Sequence, residues 1–186
     1  MNEEREPLDD RELMMRAKGE DTESFAELVR RHQRALLNHF LRCGAGSDAE
    51  DLVQQTFVRV FRYRDRYRPT AKFTTFLFLV ARQVWIDELR KRRNVFRLQE
   101  AWKEEHGDDE MDTSRGPSAA ADAVDLAEAL ARLGDGARAV VDLGVMQGLA
   151  YPEIARILGI PVGTVKSRMF NALRALREFM HAKDKT

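Results

Sequence analysis

The sequence predicts an all-α protein with two small helical domains joined by a flexible acidic linker, the C-terminal domain being a helix-turn-helix. Apolar residues recur at helical spacing over several long stretches, and the short alternating runs that predict β-strands are few. The chain has 186 residues, a length that allows one ordinary domain or two small ones. Its hydrophobic fraction of 44% is enough for packed cores. A polar, acidic segment separates two apolar-periodic parts, which favours two domains.

Three helices are predicted in the N-terminal part. The first spans residues 22–42 and presents one apolar stripe. The second covers residues 48–61 and starts with acidic side chains, which interact favourably with the positive end of a helix dipole. A loop around Pro69 connects it to the third helix, at residues 74–92.

The linker is predicted from composition. Residues 100–123 are acidic, contain Gly, Ser and Pro, and hold few large apolar side chains. Such a segment cannot bury enough apolar surface to offset the entropy lost on ordering, so we expect a flexible linker with at most short helical pieces. Four further helices are expected after it, at residues 125–133, 137–144, 151–158 and 162–180.

Charge is balanced over the whole chain, with 31 basic and 31 acidic residues, but not locally. Residues 59–93 hold 11 basic and 3 acidic side chains, and residues 126–186 hold 9 and 6. Acidic residues are in excess in residues 1–51 and 94–125. Basic blocks beside acidic ones are typical of a nucleic-acid binder with a second protein partner, although solvated arginine-rich helix faces explain the charges equally well.

Several classes of protein are disfavoured. The apolar runs are shorter than the ~20 residues of a membrane span, and the acidic start is unlike a signal peptide. The single cysteine, Cys43, forms no intrachain disulfide and suits a reducing compartment, so we expect a cytoplasmic protein. His39 shares a helix face with Cys43, but two ligands do not make a zinc site. Without a phosphate-loop pattern or a nucleophile–base pair, we expect neither an enzyme nor a cofactor.

The strongest motif is a helix-turn-helix at residues 151–174. Ala155 is small where two helices would cross closely, Gly159 permits the tight turn, and Pro161 suits the start of the next helix. An ordinary helical hairpin with a basic face is the alternative, but the agreement of small, glycine and apolar positions favours DNA binding. The second helix turns towards solvent polar side chains that can contact base edges and phosphates, namely Thr164, Lys166, Ser167, Arg168 and Asn171.

A second nucleic-acid signal lies in residues 63–93, where basic and aromatic side chains interleave. Aromatic rings stack on unpaired bases while arginine and lysine contact the backbone, and each stack contributes about 1–3 kcal/mol. Some of these rings must instead belong to the core, so taken alone the pattern is ambiguous. The aromatic residues concerned are Tyr63, Tyr67, Phe73, Phe76, Phe78 and Trp85.

Three motifs in register resemble the extracytoplasmic-function sigma factors of bacteria. They are DAEDLVQQTFVRVFRY at 48–63, KFTTFLFLVARQVWIDELRKRR at 72–93 and YPEIARILGIPVGTVKSRMFNALRAL at 151–176, and the resemblance covers roughly residues 10–180. It implies a polymerase-docking and −10 domain, an acidic linker near the template-strand and RNA-exit paths, and a −35 domain, at residues 10–95, 96–124 and 125–182 respectively.

The resemblance also implies partners and site residues. The protein would be a dissociable, non-enzymatic subunit that binds core RNA polymerase and promoter DNA, with an anti-sigma factor as a further partner. The residues expected at the polymerase contact are Asp48, Asp51, Gln54 and Gln55. Those expected to recognise and help open the −10 element are Lys72, Phe73, Thr75, Phe76, Gln83, Arg90 and Arg93. Those expected at the −35 element are Thr164, Lys166, Ser167, Arg168, Phe170 and Asn171.

The chain departs from the family's usual residues in four places. Gln55 follows Gln54 where an acidic residue is common, which removes one charge from the expected polymerase contact. Phe76 stands for a usual tryptophan, and Gln83 for a frequent asparagine. Gly144 occupies a position that is usually charged, so one contact to the −35 element is expected to be absent. These departures leave open which promoter sequence is recognised, but they do not affect the general role.

Two alternatives compete with a sigma factor. A sigma-like adaptor that titrates an anti-sigma factor should have lost the Lys166 and Arg168 surface and the basic cluster at residues 90–93, and this chain keeps both. For a free-standing helix-turn-helix regulator, the motif at residues 151–174 would suffice. That interpretation leaves the motifs at residues 48–93 unexplained.

Overall fold

The computed structural model describes residues 8–19, 21–106, 129–130 and 132–183, and this part of the chain is helical and contains no strands. Short turns complete the helices, with 3₁₀ segments at Gly46–Asp48 and Arg64–Arg66 and a π-helical turn at Asp142–Met146. The α-helices are α1 (Asp10–Lys18), α2 (Thr22–Arg42), α3 (Ala49–Tyr63), α4 (Phe73–His106), α5 (Asp135–Val141), α6 (Tyr151–Leu158) and α7 (Val162–Lys183).

Helices α1–α4 form the N-terminal domain. Leu28, Leu36 and Phe40 of α2 are fully buried beside the apolar faces of α3 and α4. Helix α1 was not predicted, because its three buried apolar residues, Leu13, Met14 and Ala17, are too few for a clear stripe. Its sequence signal is a capping box, in which the Glu12 backbone N–H donates to Asp9 Oδ1 at 2.7 Å and the Asp9 backbone N–H donates back to the Glu12 carboxylate.

Helix α4 is longer than predicted. The helix was predicted to end near Arg92 and the linker to begin at residue 96, whereas the helix continues to His106. Residues 96–106 of the predicted linker are therefore helical. The segment lacks glycine and proline and contains good helix formers such as Leu98 and Gln99, so nothing in it stops the helix. The remaining linker residues, 107–124, lie outside the described residues.

Helices α5–α7 form the C-terminal domain. The helix predicted at 137–144 starts earlier, at Asp135, and its α-helical part ends at Val141, where the π-helical turn begins. Of the helix predicted at 125–133, residues 129 and 130 are helical and residues 132 and 133 form a turn, while the others lie outside the described residues. Helices α6 and α7 follow the predicted pair closely, and α7 extends past the predicted end to Lys183.

The two domains pack against each other. Helix α4 contacts α6, and one apolar cluster runs from the N-terminal into the C-terminal domain. Along this boundary one cleft is lined by Phe78 of α4 together with Leu143 and Ile157. Within the described residues, no helix is long and apolar enough to cross a membrane.

Candidate nucleic-acid and partner interfaces

The exposed face of α3 carries the residues predicted to contact the polymerase. Asp51, Gln54 and Gln55 follow helical spacing and are exposed. Together with Val58, which is 49% exposed, they border a shallow depression. Sequence analysis assigned no role to Val58. A polar rim around an exposed apolar side chain is a suitable surface for a protein partner.

Asp48 lies at the N-terminal end of α3 and has a structural partner. Its Oδ2 accepts from Arg92 Nη2 at 2.8 Å, and Arg92 also donates to the backbone carbonyls of Gly44 and Ala45. The Arg92 guanidinium also stacks over the ring of Trp85, with Cζ 5.3 Å from the ring centroid. Arg92 thus joins the middle of α4 to the turn before α3, and Asp48 is partly engaged by it.

Part of the predicted −10 surface forms one exposed stripe on α4. Phe76, Gln83 and Arg90 recur every seven residues, which is about two turns, so they share a face. Gln83 and Arg90 are exposed and Phe76 is half-buried, and Lys72 is exposed just before the first turn. Amide, guanidinium, ammonium and aromatic groups in a row suit a single strand of nucleic acid.

Phe73 and two other aromatic residues lie in the core. Phe73 is 3% exposed and its ring meets those of Tyr67 and Phe76, each at a centroid distance of 6.4 Å. Tyr67 and Phe78 are also buried, whereas Tyr63 is exposed. Three of the six aromatic rings singled out in the sequence are therefore core residues: Tyr67, Phe73 and Phe78.

Thr75 lies beneath the C-terminal domain. It is 2% exposed, and its hydroxyl donates to Glu153 Oε1 of α6 at 2.8 Å. Seven residues further along α4, or about two turns, Arg82 Nη2 donates to the backbone carbonyl of Leu158 at 2.9 Å. The α6 helix thus covers the side of α4 next to the exposed stripe. Arg93, in the last part of the predicted −10 surface, is exposed.

The helix-turn-helix has the predicted geometry. Gly159 ends α6 in the left-handed conformation, with φ +65°, which disfavours any side chain there. Ile154 and Val165 are fully buried at the junction, and Ala155 is 9% exposed between the two helices. Pro161 directly precedes α7 and its carbonyl accepts from the backbone N–H of the first turn. The predicted roles of the apolar, small and glycine positions are confirmed.

Helix α7 presents the predicted DNA-contacting residues to different degrees. Lys166, Ser167, Phe170 and Asn171 are exposed, whereas Thr164 and Arg168 are half-buried. The ring of Phe170 is 67% exposed.

Arg168 packs against α5. A Cβ atom placed on Gly136 would lie 2.8 Å from Arg168 Nη1, so the absence of a side chain at Gly136 makes room for the guanidinium. Arg168 also lines a cleft of about 380 Å³ between the domains, together with Arg82 and Leu158. One predicted −35 residue and the side of α4 therefore face the same cleft.

Gly144 packs closely against the C-terminal core. A Cβ atom at this position would lie 2.5 Å from Met169 Cε and 3.2 Å from Ile154 Cδ1, and both neighbours are buried. The space that a side chain would need is filled by α6 and α7. The glycine thus fits the packing of this chain, consistent with the expected loss of a charged contact there.

Asp142 joins the two domains by a buried ionic contact. It is 3% exposed, and both oxygens of its carboxylate bond to α2: Oδ2 accepts from His39 Nδ1, and Oδ1 accepts from Arg42 Nε at 2.5 Å. His39 is also buried and its Nε2 lies 3.8 Å from Cys43 Sγ. Two of these residues shared a helix face in the sequence analysis, and the described residues hold no cluster of three metal-ligating side chains.

The ionisation of this contact follows from its partners. Burial alone would lower the pKa of His39, but its hydrogen bonds to Asp142 and Cys43 outweigh that effect and raise the pKa to about 9. Burial would raise the pKa of Asp142, but the hydrogen bond from His39 and the nearby positive charges hold it below its ordinary value. Both groups are therefore charged near neutral pH.

The comparisons identify two family regions. Residues 28–95 match the family model "Sigma-70 region 2", and residues 123–176 match "Sigma-70, region 4". The chain is 38% identical over 148 residues to the ECF RNA polymerase sigma factor SigL of Mycobacterium tuberculosis, covering 78% of this chain and 82% of that protein. This chain belongs to the extracytoplasmic-function sigma factors. It is also 30% identical to the sigma factor RpoE of Cereibacter sphaeroides, covering 86% and 88% of the two chains.

Solved structures resemble this sigma factor over most of its length. The structure of CnrH in complex with the cytosolic domain of CnrY has a TM-score of 0.67 and 29% identity, covering 93% of this chain and 97% of that one. The sigma factor RpoE from Bartonella quintana, in complex with the anti-sigma factor NepR, has a TM-score of 0.66 and 25% identity, covering 84% and 96%. The fold predicted from the sequence is confirmed.

The contact between the domains was missed by sequence analysis. Its members are scattered over the chain, so no local pattern unites them. The sequence contains one relevant signal, because Asp142 interrupts an apolar run between Val140 and Leu143. A charged residue is rarely found at a position with buried neighbours unless it has a buried partner. The sequence showed that Asp142 needs a partner, but not where it lies.

Proposed function

We propose that this sigma factor binds core RNA polymerase in the cytoplasm and directs promoter-specific initiation by contacting a −10 element with its N-terminal domain and a −35 element with its C-terminal domain. The observation that carries the proposal is the pairing of two unlike nucleic-acid surfaces in one chain. The stripe of α4 suits an unpaired strand, whereas the exposed residues of α7 suit the major groove of a duplex.

The α4 stripe suits promoter opening. A base that leaves the duplex loses its stacking and pairing energy, and stacking on an aromatic ring returns about 1–3 kcal/mol of it. Phe76 and Gln83 together offer a ring and an amide two turns apart, so that one base is stacked and another is hydrogen-bonded. Binding energy alone would then hold the open state, without ATP. Thr75 joins this surface once the C-terminal domain has left α4, whereas Phe73 stays packed against Tyr67 and Phe76 of the N-terminal domain.

The α7 surface suits duplex recognition. Lys166 and Arg168 supply charge for phosphates or guanine edges, and Asn171 offers an amide for adenine. The exposed face of α3, around Gln54, supplies the polymerase contact. Because the two domains contact different promoter elements, the chain needs both of them. A free-standing regulator would need only the helix-turn-helix domain.

Regulation by an anti-sigma factor is part of the proposal. It is supported by the similarity to RpoE of Bartonella quintana, which was solved bound to the anti-sigma factor NepR. Co-purification of the full chain from its host would identify such a partner.

Transcription with purified components tests the proposal. With core polymerase, the full chain should give transcripts with defined starts, and Lys166→Ala with Arg168→Ala should reduce initiation at promoters that depend on a −35 element. The matched control is Arg177→Ala, a basic residue exposed further along α7. Each lost base-edge contact is expected to cost about 1–3 kcal/mol. If the double variant selects promoters as the wild type does, α7 is not the recognition helix; if the chain binds polymerase but never initiates, the adaptor hypothesis is favoured.

A further inference from the structure

We propose that the cleft lined by Arg82 and Arg168 is a binding site for a small amphipathic anion, a molecule with an apolar body and one carboxylate or sulfonate head. The name "arginine cleft" is used below for this cavity. Its volume is about 380 Å³, which lies within the range of about 300–1,000 Å³ that is usual for small-ligand sites. Binding in the cleft can be tested without polymerase or promoter.

The walls of the arginine cleft are largely apolar, and they come from α4 on one side and from the C-terminal domain on the other. Such walls favour a ligand that removes apolar surface from water. A sugar or a nucleotide base would place polar groups against them without hydrogen-bond partners, which is costly. The apolar side chains of the lining include Phe78, Trp85, Ile86, Leu143, Ile157 and Leu158.

Both carboxylates of the lining are matched by neighbouring cations. Asp142 accepts hydrogen bonds from His39 and from Arg42. Asp135 forms an ion pair with Arg138 at 3.5 Å, and its side chain is 99% exposed, so that solvent screens its charge. Neither carboxylate therefore neutralises the two remaining arginines of the lining.

Those two arginines supply positive charge that no carboxylate balances within the described residues. Arg82 donates to the backbone carbonyl of Leu158 through Nη2 at 2.9 Å, which leaves its other N–H groups for a ligand. Arg168 is half-buried, and in the part of the chain that the structure describes none of its N–H groups has an acceptor. Its guanidinium lies close to the backbone of Gly136, where a Cβ atom would be 2.8 Å from Nη1.

The two features together define the class of ligand. A half-buried guanidinium without an acceptor favours an anion, because a hydrogen bond to a charged group is stronger than one between neutral groups. The apolar walls favour a hydrophobic body. A molecule that carries both satisfies the whole cleft, with its head on Arg82, on Arg168 or on both, and its body against the walls. An inorganic anion or a neutral hydrocarbon would use only half of the site.

Binding at Arg168 bears on the promoter contact, and this consequence rests on the proposed function. A guanidinium that bonds to a ligand head cannot bond at the same time to a phosphate or to the edge of a guanine. The ligand and the −35 element therefore compete for Arg168. Phe76 and Gln83 do not line the cleft, so the exposed stripe of α4 keeps its access to a single strand.

Fluorescence titration of the full chain tests the charge requirement. The probe is 8-anilinonaphthalene-1-sulfonate, and the matched neutral compound is N-phenyl-1-naphthylamine, which has the same rings without the sulfonate. We expect the wild type to bind the sulfonate with a Kd of about 10–100 μM. At least one of Arg82→Gln and Arg168→Gln should weaken the sulfonate by at least roughly threefold and the neutral compound by less than that.

The control variant is Arg177→Gln, because Arg177 is an exposed basic residue of α7 outside the cleft. It should bind both compounds as the wild type does. If both cleft variants keep the wild-type affinity for the sulfonate, or lose affinity for the two compounds equally, the proposal is overturned. The cleft is then an apolar groove without preference for an anion, as a helix of a protein partner would use.

Competition for the bound probe distinguishes the apolar bodies. Laurate, kept at concentrations where it is monomeric, carries an aliphatic body, and 1-naphthoate carries an aromatic one. Displacement by either carboxylate supports the proposal, and the one that displaces at the lower concentration identifies the body. Sulfate at the same ionic strength should not displace the probe. Displacement by sulfate as well, or by neither carboxylate, overturns the proposal.

Alkylation of Cys43 locates the ligand. Cys43 is the single cysteine of the chain, is half-buried and lines the arginine cleft. The neutral reagent iodoacetamide modifies it, and mass spectrometry measures the modified fraction over time. The carboxylate that displaces the probe should slow alkylation of the native chain at least roughly threefold and leave the rate of the urea-unfolded chain unchanged. An unchanged native rate places the ligand elsewhere and overturns the proposal.

A variant that fills the cleft gives an independent readout. Ala139 is half-buried and lines the cleft, so Ala139→Phe should abolish binding of the sulfonate probe while the helical circular dichroism signal is kept. Undiminished binding by a folded Ala139→Phe protein overturns the proposal. If this variant loses its helical signal, the arginine variants and the alkylation of Cys43 decide.

Transcription tests the promoter consequence. With core polymerase, the displacing carboxylate should lower initiation by the wild type at promoters that depend on a −35 element, by at least roughly threefold. Initiation by Ala139→Phe should not respond, which excludes an effect on polymerase itself. Equal initiation by the wild type with and without bound ligand overturns the competition at Arg168. A wild type that does not initiate even without ligand refutes the proposed function instead, while the binding measurements still decide on the cleft.

Discussion

Replacing Gly144 by alanine tests the packing of the helix-turn-helix. Gly144 lies in the π-helical turn, and the family's usual charged side chain is absent there. The added methyl group would meet Met169 Cε at 2.5 Å and Ile154 Cδ1 at 3.2 Å. The first distance is far below van der Waals contact, so at least one neighbour must move. Met169 and Ile154 are 4% and 0% exposed, which leaves them little free space to move into.

The expected loss can be worked out from two opposing effects. Overpacking a well-packed core costs about 1–3 kcal/mol, and the flexible end of Met169 favours the lower part of that range. Replacing a helical glycine by alanine returns up to about 1 kcal/mol through the unfolded state. The net loss in the free energy of unfolding is therefore about 1 kcal/mol, which lowers Tm by roughly 2–4 °C for a chain of this size.

Thermal and urea unfolding of the full chain, followed by circular dichroism, measures this loss. The matched control is Gly163→Ala, because a Cβ atom there has no neighbour within 4 Å and the residue lies in the first turn of α7. The control should be as stable as the wild type or more stable. A Gly144→Ala protein that is as stable as the control would refute the reasoning, because it would mean that α6 and α7 leave room for a side chain at this position.

Three further predictions concern single side chains. Lys166→Ala should weaken duplex binding and reduce the slope of log affinity against log salt concentration by about one, as measured by fluorescence anisotropy. The control, Arg177→Ala, should leave the slope unchanged. An unchanged slope for Lys166→Ala would show that Lys166 does not contact a phosphate. Arg92→Ala should lower the free energy of unfolding by about 1–2 kcal/mol in urea titrations, because four acceptors, on Glu88, Gly44, Ala45 and Asp48, lose their donor. The exposed Arg93→Ala should change it by less than about 0.5 kcal/mol, and equal losses would contradict a structural role for Arg92. Ile154→Ala should lower it by about 2–5 kcal/mol, since the side chain is fully buried, and a loss below 1 kcal/mol would be inconsistent with that burial.

Local patterns predicted most of the fold. The apolar stripe of α2 and the glycine turn at Gly159 each depend on residues close in sequence, and both were found as expected. The end of α4 was wrong because an acidic composition was taken as a sign of a linker, although the residues up to His106 are compatible with a helix. Helix α1 was missed because its capping box, at Asp9 and Glu12, is a weaker signal than a long apolar stripe.

In the candidate sites too, local patterns predict some features and miss others. The exposure of Lys166 and Asn171 follows from the helical spacing of apolar and polar residues in α7, which can be seen in the sequence. The burial of Thr75 does not, because it depends on Glu153, which is 78 residues away. The partners of Asp142 are about 100 residues away in sequence and come together only when the domains pack. Interactions of this range are set by tertiary packing, and a single sequence gives no local sign of which residues will meet.

Run-off transcription from a promoter fragment, with the full chain and core polymerase together and with each of them omitted in turn, tests the central claim most directly. The account predicts transcripts with one defined start when both are present, no transcript without the sigma factor, and weak binding of the chain alone to the same duplex. Tight, sequence-specific binding of the chain alone, with no effect of the chain on where polymerase starts, would contradict it.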